Sequence, residues 1–295
     1  MNIIYKFSIL SSFLGLWITS LLPEAFELIL GFILIFTFGM VHGSNDIMIV
    51  DKLSKKTNSS FFKILLTYLF VVTAAIIIFY FIPVLALALF ILFSAYHFGE
   101  QHWEDALSNL SPAPQKIFFF CYGLLVLYMV FSFNIEAVIE IVYEITALKL
   151  KNIYALQVTL TLLMILFLIT VYAINKKQIP IKSVLKEVFS LLVFAIIFNS
   201  SSLIWGFTIY FIFWHSIPSL LDQIKFIYGD LKKKSVLKYI KAALPYWLVS
   251  LVGIAVLFLI FKDEKHFHSL FFAFIAAVTF PHAIVMLTMF SKKRA

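Results

Sequence analysis

The chain has 295 residues, 63% apolar and 13% charged, with a mean hydropathy of +1.03, whereas about a quarter of residues are charged in soluble domains. These figures exclude a water-soluble globular protein and leave room for roughly eight to ten membrane-spanning helices of about 20 residues, with no sizeable soluble domain. The net charge of +8 does not point to nucleic acid, because the lysines cluster in a few loops between apolar runs, as membrane orientation requires.

The expected fold class is therefore all-α, a polytopic transmembrane helix bundle forming one integral membrane domain over residues 1–295. The first apolar run follows Lys6 and ends in Leu22-Pro23-Glu24 without a small-residue cleavage site, so it reads as an anchored helix rather than a signal peptide. Ten spans are expected: Asn2 to Leu22, Phe26 to Val50, Phe61 to Ile82, Val84 to Trp103, Lys116 to Asn134, Asn152 to Ile174, Val184 to Asn199, Leu203 to Leu221, Ala242 to Phe261 and His268 to Phe290. The seventh is short and its joint to the eighth is tight, which leaves eight or nine full crossings as the alternative. Between the fifth and sixth spans, Glu136, Glu140 and Glu144 recur at i,i+4 among aliphatics in Ile135 to Lys151, the pattern of a helix along the membrane surface.

Lysines follow the second span (Lys52, Lys55, Lys56), the sixth (Lys176, Lys177, Lys182) and the eighth (Lys232, Lys233, Lys234), and Lys292, Lys293 and Arg294 close the chain. By the positive-inside rule all four segments are cytoplasmic, and so are both termini. The second, fourth, eighth and tenth helices then run in the same direction, and each carries one histidine: His42, His97, His215 and His282. Counted back from the cytoplasmic ends, the four lie six to eight residues deep, or roughly 9 to 12 Å. One layer of the membrane thus holds four imidazoles.

Ionisable and polar groups at that depth face a bundle interior or cavity and mark functional sites, although a single histidine is as readily an interhelical hydrogen bond. Four in one layer favour a metal, since neutral imidazole is a common ligand of iron, copper and zinc and bundles build such sites from facing helices. Cys121 is the only cysteine, so thiolate clusters are excluded and the ligands are nitrogen and oxygen. Asp46, four residues after His42, is the candidate to orient a ligating imidazole or to lie near the metal; capping the helix end near Lys52 is its alternative role. Glu100 and Gln101 stand in the same relation to His97 or are interfacial. His102 is turned away from the face of His97 and is expected at the interface, and His266 and His268 in a solvated loop.

The motifs His42-Gly-x-x-Asp46, Ser94-x-x-His97-Phe-Gly99, Trp214-His215-Ser216 and Thr279-x-Pro281-His282, in this order and over most of the chain, resemble the Brp/Blh family of membrane β-carotene 15,15′-dioxygenases. The resemblance implies an Fe(II) enzyme in the lipid bilayer of a prokaryotic inner membrane. It splits the central double bond of β-carotene with O₂ to give two all-trans-retinal, with a microbial rhodopsin as retinal acceptor. It also implies that His42, His97 and His215 are iron ligands. Family members often carry a second histidine four residues after the one matched by His215, where this chain has Ser219. His282, in the same layer, is the candidate fourth ligand, with a three-histidine site completed by water or Asp46 as the alternative. Phe38, Phe93, Phe98, Phe211, Phe213 and Trp214 flank the motifs and suit a hydrophobic tunnel.

Two other classes compete. A metal or proton transporter also uses intramembrane histidines, and would show broken helices or further buried carboxylates. A non-catalytic partner in opsin assembly would not need the histidines. The histidine-box spacing of membrane desaturases and the paired histidines of bis-haem cytochromes are both absent from the sequence.

Overall fold

A computed structural model describes residues 3–54, 61–152, 154–260 and 267–294, which form helices and connecting turns with no strand among them. Lys55, Lys56 and His266 lie outside the described residues, as does the side chain of His268. In chain order the helices are α1 (Ile3–Leu21), α2 (Glu24–Leu34), a π-helical turn π1 (Ile35–Gly39), α3 (Asp46–Ser54), α4 (Phe61–Phe81), α5 (Pro83–Trp103), α6 (Pro112–Phe133) and α7 (Ile135–Thr146). There follow α8 (Ala155–Asn175), α9 (Ile181–Ser200), α10 (Leu203–Tyr210), a second π-helical turn π2 (Phe211–Ser216), α11 (Ile217–Tyr228), α12 (Lys233–Ile260) and α13 (Phe267–Arg294).

Eight of these are long and apolar enough to cross a membrane: α1, α4, α5, α6, α8, the continuous run α10–π2–α11, α12 and α13. The protein is a polytopic helical membrane protein. Two expected spans are built differently. Helix α9 carries Lys182, Lys186 and Glu187 in its first half. The expected second span is not one helix: it is α2, π1, a turn over residues 42–45, and α3. The helix expected between the fifth and sixth spans is present as α7 but ends sooner, because the chain leaves it at Ala147 through a left-handed backbone (φ 56°).

Helices α5 and α6 form the closest pair. A Cβ at Gly99 would lie 1.8 Å from the Phe119 carbonyl oxygen, and one at Gly123 would lie 1.8 Å from that of Ala95. Only glycine permits such an approach, as in membrane helix pairs generally. Helix α1 docks on the run containing His215 through small and polar residues. Ser8 Oγ donates to the Phe213 carbonyl at 2.6 Å, Trp214 Nε1 to Ser12 Oγ at 2.8 Å and Trp205 Nε1 to the Gly15 carbonyl at 3.3 Å.

The C-terminal ends of α3, α5, α11 and α13 meet at one end of the bundle. Lys52 Nζ donates to the Phe226 and Ile227 carbonyls, Lys292 Nζ to that of Leu53, and Lys293 Nζ to the carboxylates of Glu104 and Asp105. Lysine thus satisfies carbonyls that a helix end leaves bare. The four histidine-bearing segments consequently run parallel, which brings residues at similar depth in the sequence to one level in space.

Candidate metal centre

His42, His97, His215 and His282 come from four separate segments, and all are buried, none more than 5% exposed. One nitrogen from each lies within 4.8 Å of the others. The rings follow one another in a closed circuit: centroids are 4.6 Å apart for His42 and His282, 5.1 Å for His282 and His97, 4.7 Å for His97 and His215, and 5.4 Å for His215 and His42. Each ring meets its neighbour nearly at right angles, between 83° and 87°.

Local irregularities aim two of them. His42 begins the turn that interrupts the expected helix. Its Nδ1–H donates to the Gly39 carbonyl, the group that would otherwise accept the Gly43 N–H, and that N–H turns instead to Met40 at 3.3 Å. The turn is then pinned from outside. Gln223 Nε2 donates to the His42 carbonyl at 2.8 Å, Tyr239 donates to Gln223 Oε1 at 2.7 Å, and Asn45 Nδ2 donates to the Tyr239 carbonyl at 3.0 Å. His215 sits in π2, and Pro218, near the start of α11, removes a further N–H donor there. Both π turns lie beside a histidine of the cluster, as π turns often do at functional sites.

His282 follows Pro281 within α13, and its Nδ1–H donates to Asp46 Oδ1 at 2.8 Å. The other oxygen of Asp46 accepts from the Tyr68 hydroxyl at 3.1 Å. Asp46 is 1% exposed and is the first residue of α3, where the helix dipole favours a carboxylate. Asp46 therefore orients His282 from α3. The helical register expected to join it to the face of His42 is broken by the turn.

Other ring nitrogens of the cluster behave differently. His97 Nδ1 and Nε2, His215 Nε2 and His282 Nε2 are buried without a hydrogen-bond partner. Buried polar atoms are nearly always paired, so several orphans converging on one point require an explanation. A cation held among them would satisfy these atoms together. The residues present fit a metal of the nitrogen-binding kind.

Other residues are placed otherwise than the sequence suggested. His102, near the end of α5, is only partly buried, and its Nε2 pairs with Glu187 Oε2 and with the Tyr122 hydroxyl at 3.2 Å, because Glu187 of α9 folds against this part of α5. Glu100 is fully buried. Of the flanking aromatics, Phe98 and Phe211 line the histidine cavity, Phe38 and Phe93 point outward at 49% and 39% exposure, and Phe213 and Trp214 pack against Phe7 and Tyr5 of α1. Ser219 is fully buried and accepts a hydrogen bond from Gln223. Tyr68, Gln223 and Tyr239 were not singled out by the sequence. Gln223 is the one with a visible signal, since it lies eight residues after His215 on the same apolar helix face.

The cavity at the histidines is small, about 50 Å³, and Phe90, Ser94, Phe98, Phe207 and Ile275 are common to it and to a larger chamber of about 450 Å³. Along α5 the chamber wall runs from Phe98 back to Leu87, eleven residues or about 16 Å. Its lining residues are apolar apart from Ser94 and Tyr128, and α7 closes one side with Val138, Ile141, Val142 and Ile145. Beyond Ile141, Leu203 and Ile204 lies a third cavity, bordered by Glu24, Asn134, Glu140 and Glu144.

Residues 33–290 match the family model described as beta-carotene 15,15′-dioxygenase, a stretch that contains all four histidines. Comparison with curated proteins and with solved structures gives no match.

Proposed function

Because the chain belongs to the β-carotene 15,15′-dioxygenase family, we propose that it cleaves β-carotene at its central 15,15′ double bond with O₂, forming two molecules of all-trans-retinal. The two oxygen atoms of O₂ become the two aldehyde oxygens. His42, His97, His215 and His282 are the proposed ligands of Fe(II), and Asp46 is their orienting carboxylate. Iron(II), when bound, supplies a redox-active centre able to activate O₂.

The observation that carries the reading is the joining of two features. Four convergent imidazoles, three of them with unpartnered buried nitrogens, head an apolar chamber about 16 Å long. A polyene has no group to hydrogen-bond, so it is bound by shape and by removal of apolar area from water or lipid contact. The narrow cavity at the histidines suits a small molecule such as O₂, and the chamber suits a long hydrocarbon. Phe98 and Phe211 pack against His215, at centroid distances of 4.5 and 5.6 Å, and keep the junction dry. Ser94 Oγ is buried without a partner at that junction, and is the hydroxyl available to a developing carbonyl oxygen. The membrane position lets substrate enter and retinal leave through lipid, with a microbial rhodopsin as acceptor in a prokaryotic inner membrane.

One observation favours a second reading, a metal or proton transporter: the helix interrupted at His42 is the kind of broken span that transporters use. The apolar chamber tells against it, because its walls offer a cation no polar path. Expression in bacteria that make β-carotene, followed by chromatography of retinal and carotene, decides between them. Retinal accumulates as carotene disappears with the intact chain, and neither changes with His42→Ala. Carotene left untouched by well-expressed, iron-replete protein would sink the cleavage reading.

A further inference from the structure

Helix α4 is largely turned outward and offers the histidine site one side chain, Tyr68. We propose that Tyr68 is a positioning residue for the ligand His282, acting through Asp46; the inference rests on the metal reading above. The geometry is a chain of two hydrogen bonds. Tyr68 O–H donates to Asp46 Oδ2 at 3.1 Å, and His282 Nδ1–H donates to Asp46 Oδ1 at 2.8 Å.

A carboxylate buried this deeply needs donors on both oxygens. With one donor to each, the plane of the Asp46 carboxylate is fixed from two sides, and with it the direction in which Oδ1 meets the imidazole. Oδ1 in turn keeps the proton on His282 Nδ1 and leaves the Nε2 lone pair facing the cluster, where that atom has no protein partner. Packing alone does not hold the phenol. Tyr68 is half-buried, and its ring borders a cavity of about 400 Å³ between α3, α4 and α13. The hydroxyl bond sets where the side chain lies, so its loss frees both the ring and the carboxylate behind it.

Tyr68→Phe keeps the ring and removes only the donor. The purified full-length protein, loaded with Co(II) in place of iron, reports ligand geometry through its visible absorption bands and affinity through titration. Outer partners of metal-bound histidines are worth roughly 10–100-fold in affinity, so Asp46→Asn is expected in that range and Tyr68→Phe, one bond further out, at about 3- to 10-fold with shifted cobalt bands. In the double variant Tyr68→Phe has no further effect, because the carboxylate through which it acts is gone. A merely structural role predicts the reverse: a lower unfolding temperature of the metal-free protein, with cobalt affinity and spectrum unchanged. That outcome, or additive losses in the double variant, overturns the inference. Failure of the unmodified protein to bind cobalt or iron would instead overturn the metal reading itself, so the two failures are distinguishable.

Discussion

His97 and His102 lie five residues apart on α5, the first buried, the second partly buried, both beside aromatic rings, yet their surroundings are opposite. His102 Nε2 meets a carboxylate and a phenol, and the Glu187 carboxylate is shared further with Lys186 at 3.4 Å. His97 meets neither donor nor acceptor at either ring nitrogen and faces three other imidazoles. Five residues of α-helix turn the chain by about 140° past a full circle, so the two point into different parts of the bundle. Both belong to one membrane-spanning helix and both are polar within it. What separates a site from structural glue is that its polar atoms converge while unsatisfied.

The largest expected effect tests that separation directly. His97→Ala loses bound iron and retinal formation by more than the roughly 10–100-fold that outer partners cost, whereas His102→Ala keeps iron in the folded protein. Elemental analysis of purified protein measures both, and a folded His102→Ala protein devoid of iron would erase the contrast. The next effect is on stability. Glu187→Ala leaves His102 and Tyr122 without their acceptor and costs about 3 kcal/mol, the upper end for leaving such donors unsatisfied; thermal unfolding in detergent records the loss, with iron content per folded molecule unchanged. The smallest sharpens the comparison through the metal. A strong chelator destabilises the native protein by on the order of 3 kcal/mol if iron had stood at a hundredfold excess over its dissociation constant, and leaves the unfolding midpoint of His97→Ala where it was.

Much of this was legible in the sequence, and the reasons it was not complete are physical. The apolar runs and the lysines at their ends marked the helices and the parallel direction of four of them, and that direction turned four distant histidines into one layer. Asp46 was visible as a carboxylate at a depth where carboxylates are costly. The break at His42 was not, because its cause is an imidazole capturing the carbonyl three residues back, a competition that periodicity does not record. The pairing of His102 was not visible because its partner is 85 residues away on α9. Tyr68 passed unnoticed for the opposite reason: a tyrosine in an apolar helix usually keeps its hydroxyl at the membrane interface, and only the fold reveals a buried carboxylate within its reach. Phe38 and Phe93 show that proximity in sequence to a motif does not put a ring in the cavity, since neighbours on a helix look in different directions.

The two π turns give helix length a second meaning in this protein. Each takes one residue more for its turn than regular α-helix would, beside His42 in one case and around His215 in the other. Wound as ordinary α-helix, the same residues would carry the half that follows about 100° past its present direction. The helix would reach slightly further across the membrane, but the segments before and after the turn could no longer both face their present neighbours. The extra residue thus sets angular phase, with every ligand still encoded.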